Sequence, residues 1–280
     1  MDEKLSYYIH CFKKLNRSRI NGGAPHKPIL LLSVINLFEQ GFLLNSTIKV
    51  TPELVAAFRN NWNKLVETPH HSIFALPFYH MNSEPFWKLI PNVGYEKVLS
   101  AKSSIKSLSN LKNCIHSAVI DDDLKQLLLN EKCRELLKTF LLGNYFPNTQ
   151  KEYKSSWDLF SGIDLQEDAE TYQKRLLDLR RILDANAFEE EVYVRSGMFK
   201  REIPKIYNNT CAISRMRIDA TANISLIDAC HIVPFAESYN DTITNGIALC
   251  PNLHRAFDRG LIAISDNYEV LLRNIGRGMD

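Results

Sequence analysis

The stretch from Asp228 to Gly260, DACHIVPFAESYNDTITNGIALCPNLHRAFDRG, sets two histidines and an asparagine at spacings that suit chemistry at one centre. Ser225 to Val233 is a short, mostly apolar run closed by Pro234, which predicts a strand carrying His231 and ending where proline stops ladder pairing. The polar run after it leads to Asn245-Gly246, a dipeptide that favours a tight turn with positive φ, and then to a second strand-like run, IALC. Pro251 suits the first residue of a helix and Gly260 the position beyond its end. His254 and Asp258 stand at i and i+4 on that helix and share a face, so an imidazole and a carboxylate can converge on one cation. Histidine is also the side chain whose ordinary pKa suits proton transfer near neutral pH. The pattern predicts a proton-handling histidine on a strand and a cation site on the following helix.

This order of parts, with NGIALC and LHRAFDRG as its most specific runs, resembles the HNH nuclease motif, in which a ββα unit holds one divalent metal against a scissile phosphate. The resemblance implies that His231 is the general base that activates water, that Asn245 fixes the loop and orients that base, and that His254 is a metal ligand. Many HNH enzymes place an acid or a second histidine just before the base as a ligand; here that position is Cys230. The ligand role is assigned instead to Asp228, two residues back on the same strand face, with Asp258 as a further ligand. Many members also carry two CxxC pairs for a structural zinc, whereas Cys211 is followed three residues on by Ser214 and Cys250 by Leu253. A four-cysteine site is not available, and Cys211 and Cys250 are expected as packed thiols. Cutting a phosphodiester needs a deprotonated water and a cation beside the phosphate. An oxygen-rich site suits Mg²⁺ or Mn²⁺, and histidine also admits Zn²⁺ or Ni²⁺.

The rest of the 280-residue chain must position these groups, and its length predicts two domains. The composition, 45% hydrophobic and 24% charged, excludes a disordered or fibrous protein. The start MDEKLSYYIHCF has no signal-peptide pattern, the longest apolar stretch is broken by Ser33 and Asn36, and six scattered cysteines form no CxxC. These features predict a chain without a membrane span in a reducing cytoplasm. Net charge is only +2, but Lys and Arg outnumber Asp and Glu by 13 to 7 over residues 1–110, with five histidines besides. A polyanion would meet that region first.

In chain order, Lys4 to Leu15 has a helical period, and RSRINGGAPHKP is a loop gathering Arg17, Arg19, His26 and Lys27 before a buried helix from Pro28 to Gln40. FLLNSTIKV reads as strand, and Pro52 to Val66 as a helix capped by Thr51. HHSIFALPFYHMNSEPFWKL reads as two strands, Ile73–Tyr79 and Phe86–Ile90, around a turn. Lys102 and Lys106 suit either phosphate contacts or a solvated face. Asp121 to Leu142 reads as one helix, Pro147 to Ser156 as a boundary, and Leu165 to Phe188 as a connecting helix whose leucine stripe could pair with its copy in a dimer. Tyr193 to Asn208 reads as a basic helix entering the final unit, with Arg195, Lys200, Arg201 and Lys205 available to DNA near the cut.

The blocks APHKPILLL and LPFYHMNSEPFWKL resemble the sulfur-binding domain that precedes HNH domains in restriction enzymes recognising phosphorothioated DNA. In that family a shallow apolar pocket with a proline ring at its floor takes the backbone sulfur, and histidine and basic side chains contact phosphate and base edges. The matching DNA-binding positions are His26, Lys27, Pro77, Phe78 and His80. The logic is that sulfur is less well hydrated than the oxygen it replaces, so an apolar wall favours it. The expectation is thus an α+β protein. A mixed helix/sheet modified-DNA reader spans residues 1–147, a helical linker 148–194, and a ββα-metal HNH domain 195–280. The whole is a type IV-like restriction endonuclease, acting as a homodimer on modified double-stranded DNA. Two alternatives stay open: a reader of a modified base such as methylcytosine, with Phe86 and Trp87 walling a flipped base, and a non-cleaving regulator on an HNH scaffold.

Overall fold

The computed structural model describes residues 3–100, 104–153, 165–217 and 225–273, so Lys102 and residues 154–156 of the expected boundary lie outside the described residues. The fold is α+β and divides into two compact units. The first takes the residues up to 153 together with Leu183–Val194, and the second takes 165–182 together with the residues from Arg195 onward. The segment 148–194 is thereby shared between the two units.

The first unit contains helices α1 (Glu3–Lys13), α2 (His26–Glu39), α3 (Pro52–Leu65), α4 (Ala75–His80), α5 (Leu108–Cys114), α6 (Asp122–Leu129) and α7 (Glu131–Tyr145), with strands β1 (Thr47–Ile48), β2 (Trp87–Pro91) and β3 (Ile115–Ile120). The strands form an antiparallel sheet of order β1-β3-β2. α2 is buried from Lys27 to Phe38. Its polar groups are satisfied internally, because Asn61 Nδ2 donates to Ser33 Oγ at 3.0 Å and to Asn36 Oδ1 at 2.9 Å. Thr51 caps α3 as expected, its Oγ1 accepting from Leu54 N.

Two expectations fail here, and one strand was not expected at all. Residues 73–79 form no strand; α4 replaces it, burying Phe74, Ala75, Phe78 and Tyr79 on one helical face. Pro77 falls in the first turn of α4, where its missing N–H is not needed. The helix expected over 121–142 is broken at Asn130, which ends α6 and caps α7 by accepting from Cys133 N at 3.1 Å. The central strand β3 has no counterpart in the sequence reading.

The second unit contains α8 (Ala169–Ile182) and the later part of α9 (Ala185–Ile206), then β4 (Asp228–His231), α10 (Phe235–Ser238), β5 (Gly246–Leu249), α11 (Pro251–Asp258) and the hairpin β6 (Ile262–Ile264) and β7 (Val270–Leu272). The expected connecting helix is two helices, because Asp184 Oδ1 accepts from Asn186 N and Ala187 N at 2.9 Å and starts α9 anew. β4 and β5 pair antiparallel, Asp228 opposite Leu249 and His231 opposite Gly246. Phe199 and Ile203 of α9 form the core with Cys211, Ile227, Cys230 and Ile247 to Cys250, so Cys211 and Cys250 are packed thiols. Gly246 does not serve a positive-φ turn, since its φ is −112°. A Cβ there would lie 2.2 Å from Ile203 Cδ1, so close packing on α9 is what demands glycine.

Candidate functional site

The ββα unit brings together the side chains expected to bind metal. Alternation along β4 sets Asp228 and Cys230 on the same face, and α11 brings His254 and Asp258 against it. His254 Nδ1 faces Asp228 Oδ2 at 3.1 Å, and its Nε2 faces Asp258 Oδ2 at 3.3 Å. Neutral imidazole has one N–H, so one of these carboxylates meets a lone pair unless a proton or a cation intervenes. Cys230 Sγ lies 3.7 Å from Asp258 Oδ1, and burial, followed by the Asp258 charge, pushes its thiol up to about 12.

The donor atoms of Cys230, His254 and Asp258 all lie within 4.8 Å of one another. Bond lengths of about 2.0–2.3 Å to nitrogen, oxygen and sulfur let such a set surround one ion, so the residues fit a divalent metal. Asp228 and Asp258 flank opposite ring nitrogens, which separates two carboxylates that the sequence reading grouped as ligands. Cys230, given no role in that reading, joins the cluster instead. Its signal was its place directly before His231.

His231 follows Cys230 directly and is turned by the same alternation to the other face of the ribbon. Its ring stacks on Phe199 at 4.2 Å between centroids with the planes 4° apart. Its Nε2 meets Asp241 Oδ1 at 2.7 Å. A carboxylate oxygen only accepts, so Nε2 carries a proton, and in the neutral ring the lone pair is then on Nδ1. Asp241 is fully buried and was missed by the sequence reading, because a lone aspartate in a polar loop carries no spacing signal.

Asn245 is a clip. Its Oδ1 accepts from Val233 N at 2.8 Å, while its Nδ2 donates to Val233 O and Asn240 O, both at 2.9 Å. With its backbone O also taking Ile232 N, it ties the end of β4 to the loop beyond it.

Residues 211–265 match the family model of the HNH endonucleases. The second unit therefore carries an HNH endonuclease domain, which supports a nuclease acting on DNA. No curated protein matches the chain. Among the described residues no helix is long and apolar enough to cross a membrane.

In the first unit, His26, Lys27, Pro77 and His80 line one cleft of about 580 Å³, together with Arg17, Ile20, Ala24, His70 and Leu76. Lys27 is buried and paired with Glu84, and it donates to Ser83 Oγ at 2.8 Å. Burial holds its ammonium below the ordinary lysine range. His26 Nε2 meets His71 O at 2.9 Å, and burial lowers its pKa to about 4. His80 is exposed, bonded to Ser104 Oγ at 3.2 Å, and also lowered, by burial and then by Lys27. Arg17 Nη1 donates to Ala24 O and its guanidinium sits 4.6 Å from the Tyr145 ring centre.

Three calls are corrected here. Phe78 is fully buried between Phe74 and Trp87, so it packs the core and is closed to DNA. Phe86 and Trp87 are also core side chains and cannot wall a flipped base. Arg195, expected on a DNA-facing surface, is buried and bonded to Glu167 Oε1 at 2.7 Å.

Proposed function

We propose that this chain is a modification-dependent, type IV-like restriction endonuclease. In this reading residues 1–147 read phosphorothioated double-stranded DNA, 148–194 link, and 195–280 hydrolyse phosphodiester bonds. The observation that carries the reading is the convergence of His26, Lys27, Pro77 and His80, from segments far apart in sequence, on one cleft of largely apolar walls. The buried proline and Leu76 offer a poorly hydrated sulfur a surface on which oxygen would lose its water. A second cleft lined by Lys13, Lys14, Arg17 and Arg19 adjoins it through Arg17 and suits the phosphates on either side.

At the nuclease site the Nδ1 lone pair of His231 takes the proton from the attacking water, while Phe199 holds the ring flat and Asn245 fixes the strand end. His254 and Asp258, with Cys230, would hold a divalent ion, and Asp228 would orient His254 from the opposite ring nitrogen. When bound, the ion offsets charge developing on the phosphate and the leaving oxygen. A single site cuts one strand, so double-strand cleavage calls for a second copy. The exposed Leu177 and Ile182 of α8 are consistent with a homodimer.

The test is cleavage of matched plasmids with Mn²⁺, one unmodified, one methylated and one phosphorothioated, with His231→Ala alongside. Cutting confined to the phosphorothioated plasmid and lost in the variant is the expected result. Cutting of all three, or of the methylated one alone, removes the sulfur reading and keeps the nuclease; equal activity of His231→Ala removes the site.

A further inference from the structure

We propose that Asp241 is the positioning residue that holds His231 with its Nδ1 lone pair available, and that α8 and α9, outside the segment that the HNH family model covers, complete the setting of that pair. The inference rests on the nuclease reading and names how its base is oriented. Asp241 and Thr242 are fully buried, and Asp241 spends one oxygen on His231 Nε2 at 2.7 Å. Its other oxygen, Oδ2, is buried and accepts no hydrogen bond among the described residues. A carboxylate left so in a dry site is costly unless positive charge lies near.

An arginine outside the motif, Arg195, is near enough for its charge and that of Asp241 to influence each other. Arg195 is the largest of the fully buried side chains, and its guanidinium lies 3.9 Å from the centre of the Tyr172 ring, itself fully buried. The electrostatic influence of Asp241 reaches both: it raises the Tyr172 hydroxyl, after burial, and favours the charged form of Arg195 against its burial. Glu167 Oε1 accepts from Arg195 Nη2 at 2.7 Å and from Arg175 Nη2 at 2.5 Å. The loop bearing Asp241 is tied to the same elements, since Ile243 N donates to Leu165 O at 2.9 Å and Gln173 Nε2 donates to Ser238 O at 3.2 Å. Phe199, one turn beyond Arg195 on α9, supplies the plate on which His231 stacks. The base is thus fixed by a layer that residues 211–265 alone do not contain.

The experiment uses the full chain. Long-range ¹H–¹⁵N correlation of the histidine rings, assigned with His231→Ala, reads the tautomer without DNA or metal. Mn²⁺-dependent plasmid cleavage is then measured as kcat and KM separately for the wild type, Asp241→Asn and Arg195→Met. The expected result is an Nε2–H tautomer of His231 in the wild type, lost or mixed in Asp241→Asn. That variant should lose about 100-fold or more in kcat, as befits a mis-set general base, with KM within about 3-fold. Arg195→Met should move both readouts in the same direction by less. A wild-type His231 protonated on Nδ1 overturns the proposal without any variant, which covers the case of a variant that fails to fold. An Asp241→Asn protein with the wild-type tautomer and kcat overturns it too. A wild type that cuts nothing defeats the nuclease reading instead, while a tautomer that depends on Asp241 still supports the positioning.

Discussion

The two units hold their histidines by opposite means. In the second unit, His231 faces Asp241, and His254 has Asp228 on one ring nitrogen and Asp258 on the other. In the first, the partners are neutral: His26 meets a backbone carbonyl, His70 Nδ1 meets Thr68 Oγ1 at 2.8 Å, and His80 meets Ser104 Oγ. Carboxylate partners set a ring up to move protons or to share a cation, whereas neutral partners and burial keep a ring uncharged. In the first unit His26 and His80 are thereby kept uncharged beside an apolar wall, and positive charge is left to lysine and arginine. The second offers bases and acids, the equipment of hydrolysis.

The contrast breaks most visibly at His231. His231→Ala should lower kcat by about 100-fold or more while leaving DNA binding within a factor of two or so, measured by cleavage and by gel shift in Ca²⁺. An equal loss of binding would place His231 among the DNA contacts and erase the distinction. At His254 the carboxylates can be separated, because the one that orients a ligand costs less than the one that coordinates. Asp228→Asn should weaken Mn²⁺ binding about 10- to 100-fold by titration calorimetry, and Asp258→Asn by more. The reverse order would return Asp228 to the direct ligand role.

In the first unit, burial makes two groups titrate with opposite slopes. His26 is lowered to about 4, so the unfolded chain binds more protons between pH 4 and 6.5, and stability is lost as pH falls through that window. Glu190, buried with Phe74 N donating to it at 2.8 Å, is raised to about 7, chiefly by burial. The folded chain binds more protons between pH 4.5 and 7, and stability is lost as pH rises there. The two slopes mask each other over their shared range. Denaturation followed by tryptophan fluorescence, with Trp62 and Trp87 both in this unit, should unmask them. Glu190→Gln should leave stability rising with pH by roughly 2 kcal/mol, and His26→Gln should leave it falling by a similar amount. Flat profiles in both variants would show that neither ring nor carboxyl is held neutral by burial.

The same contrast decides what could be read from sequence. The shared face of His254 and Asp258 on α11 was legible because helical spacing alone puts them together, and Thr51, Pro251 and Gly260 announced helix ends through local hydrogen bonding and backbone preference. The fold class was legible as well. Asp241 was not, because only the fold brings it to His231, and Phe78 misled because an aromatic beside a pocket proline reads the same whether it faces in or out. The strand misread over 73–79 has a similar cause: a short apolar run fits either period, and Glu190, remote in sequence, stabilises the helix by accepting from its first amide. β3 was lost because its residues matter through pairing with β1 and β2, which no local pattern encodes.

The smallest effect, and the sharpest test of the neutral histidines, lies at His80. It is exposed, with one weak partner, so His80→Ala should change stability by no more than about 0.5 kcal/mol. Its pKa is lowered, so at pH 7.5 it contributes shape and a hydrogen bond to the cleft and no charge. Affinity for a phosphorothioated duplex should fall by roughly 3-fold while the slope of log K against log salt stays the same, since that slope counts cations meeting phosphates. Arg19→Ala, removing a charge from the adjoining cleft, should reduce the slope by about 1. If His80→Ala flattens the slope as Arg19→Ala does, His80 works as a cation, and the contrast with the carboxylate-partnered histidines of the second unit does not hold in the first.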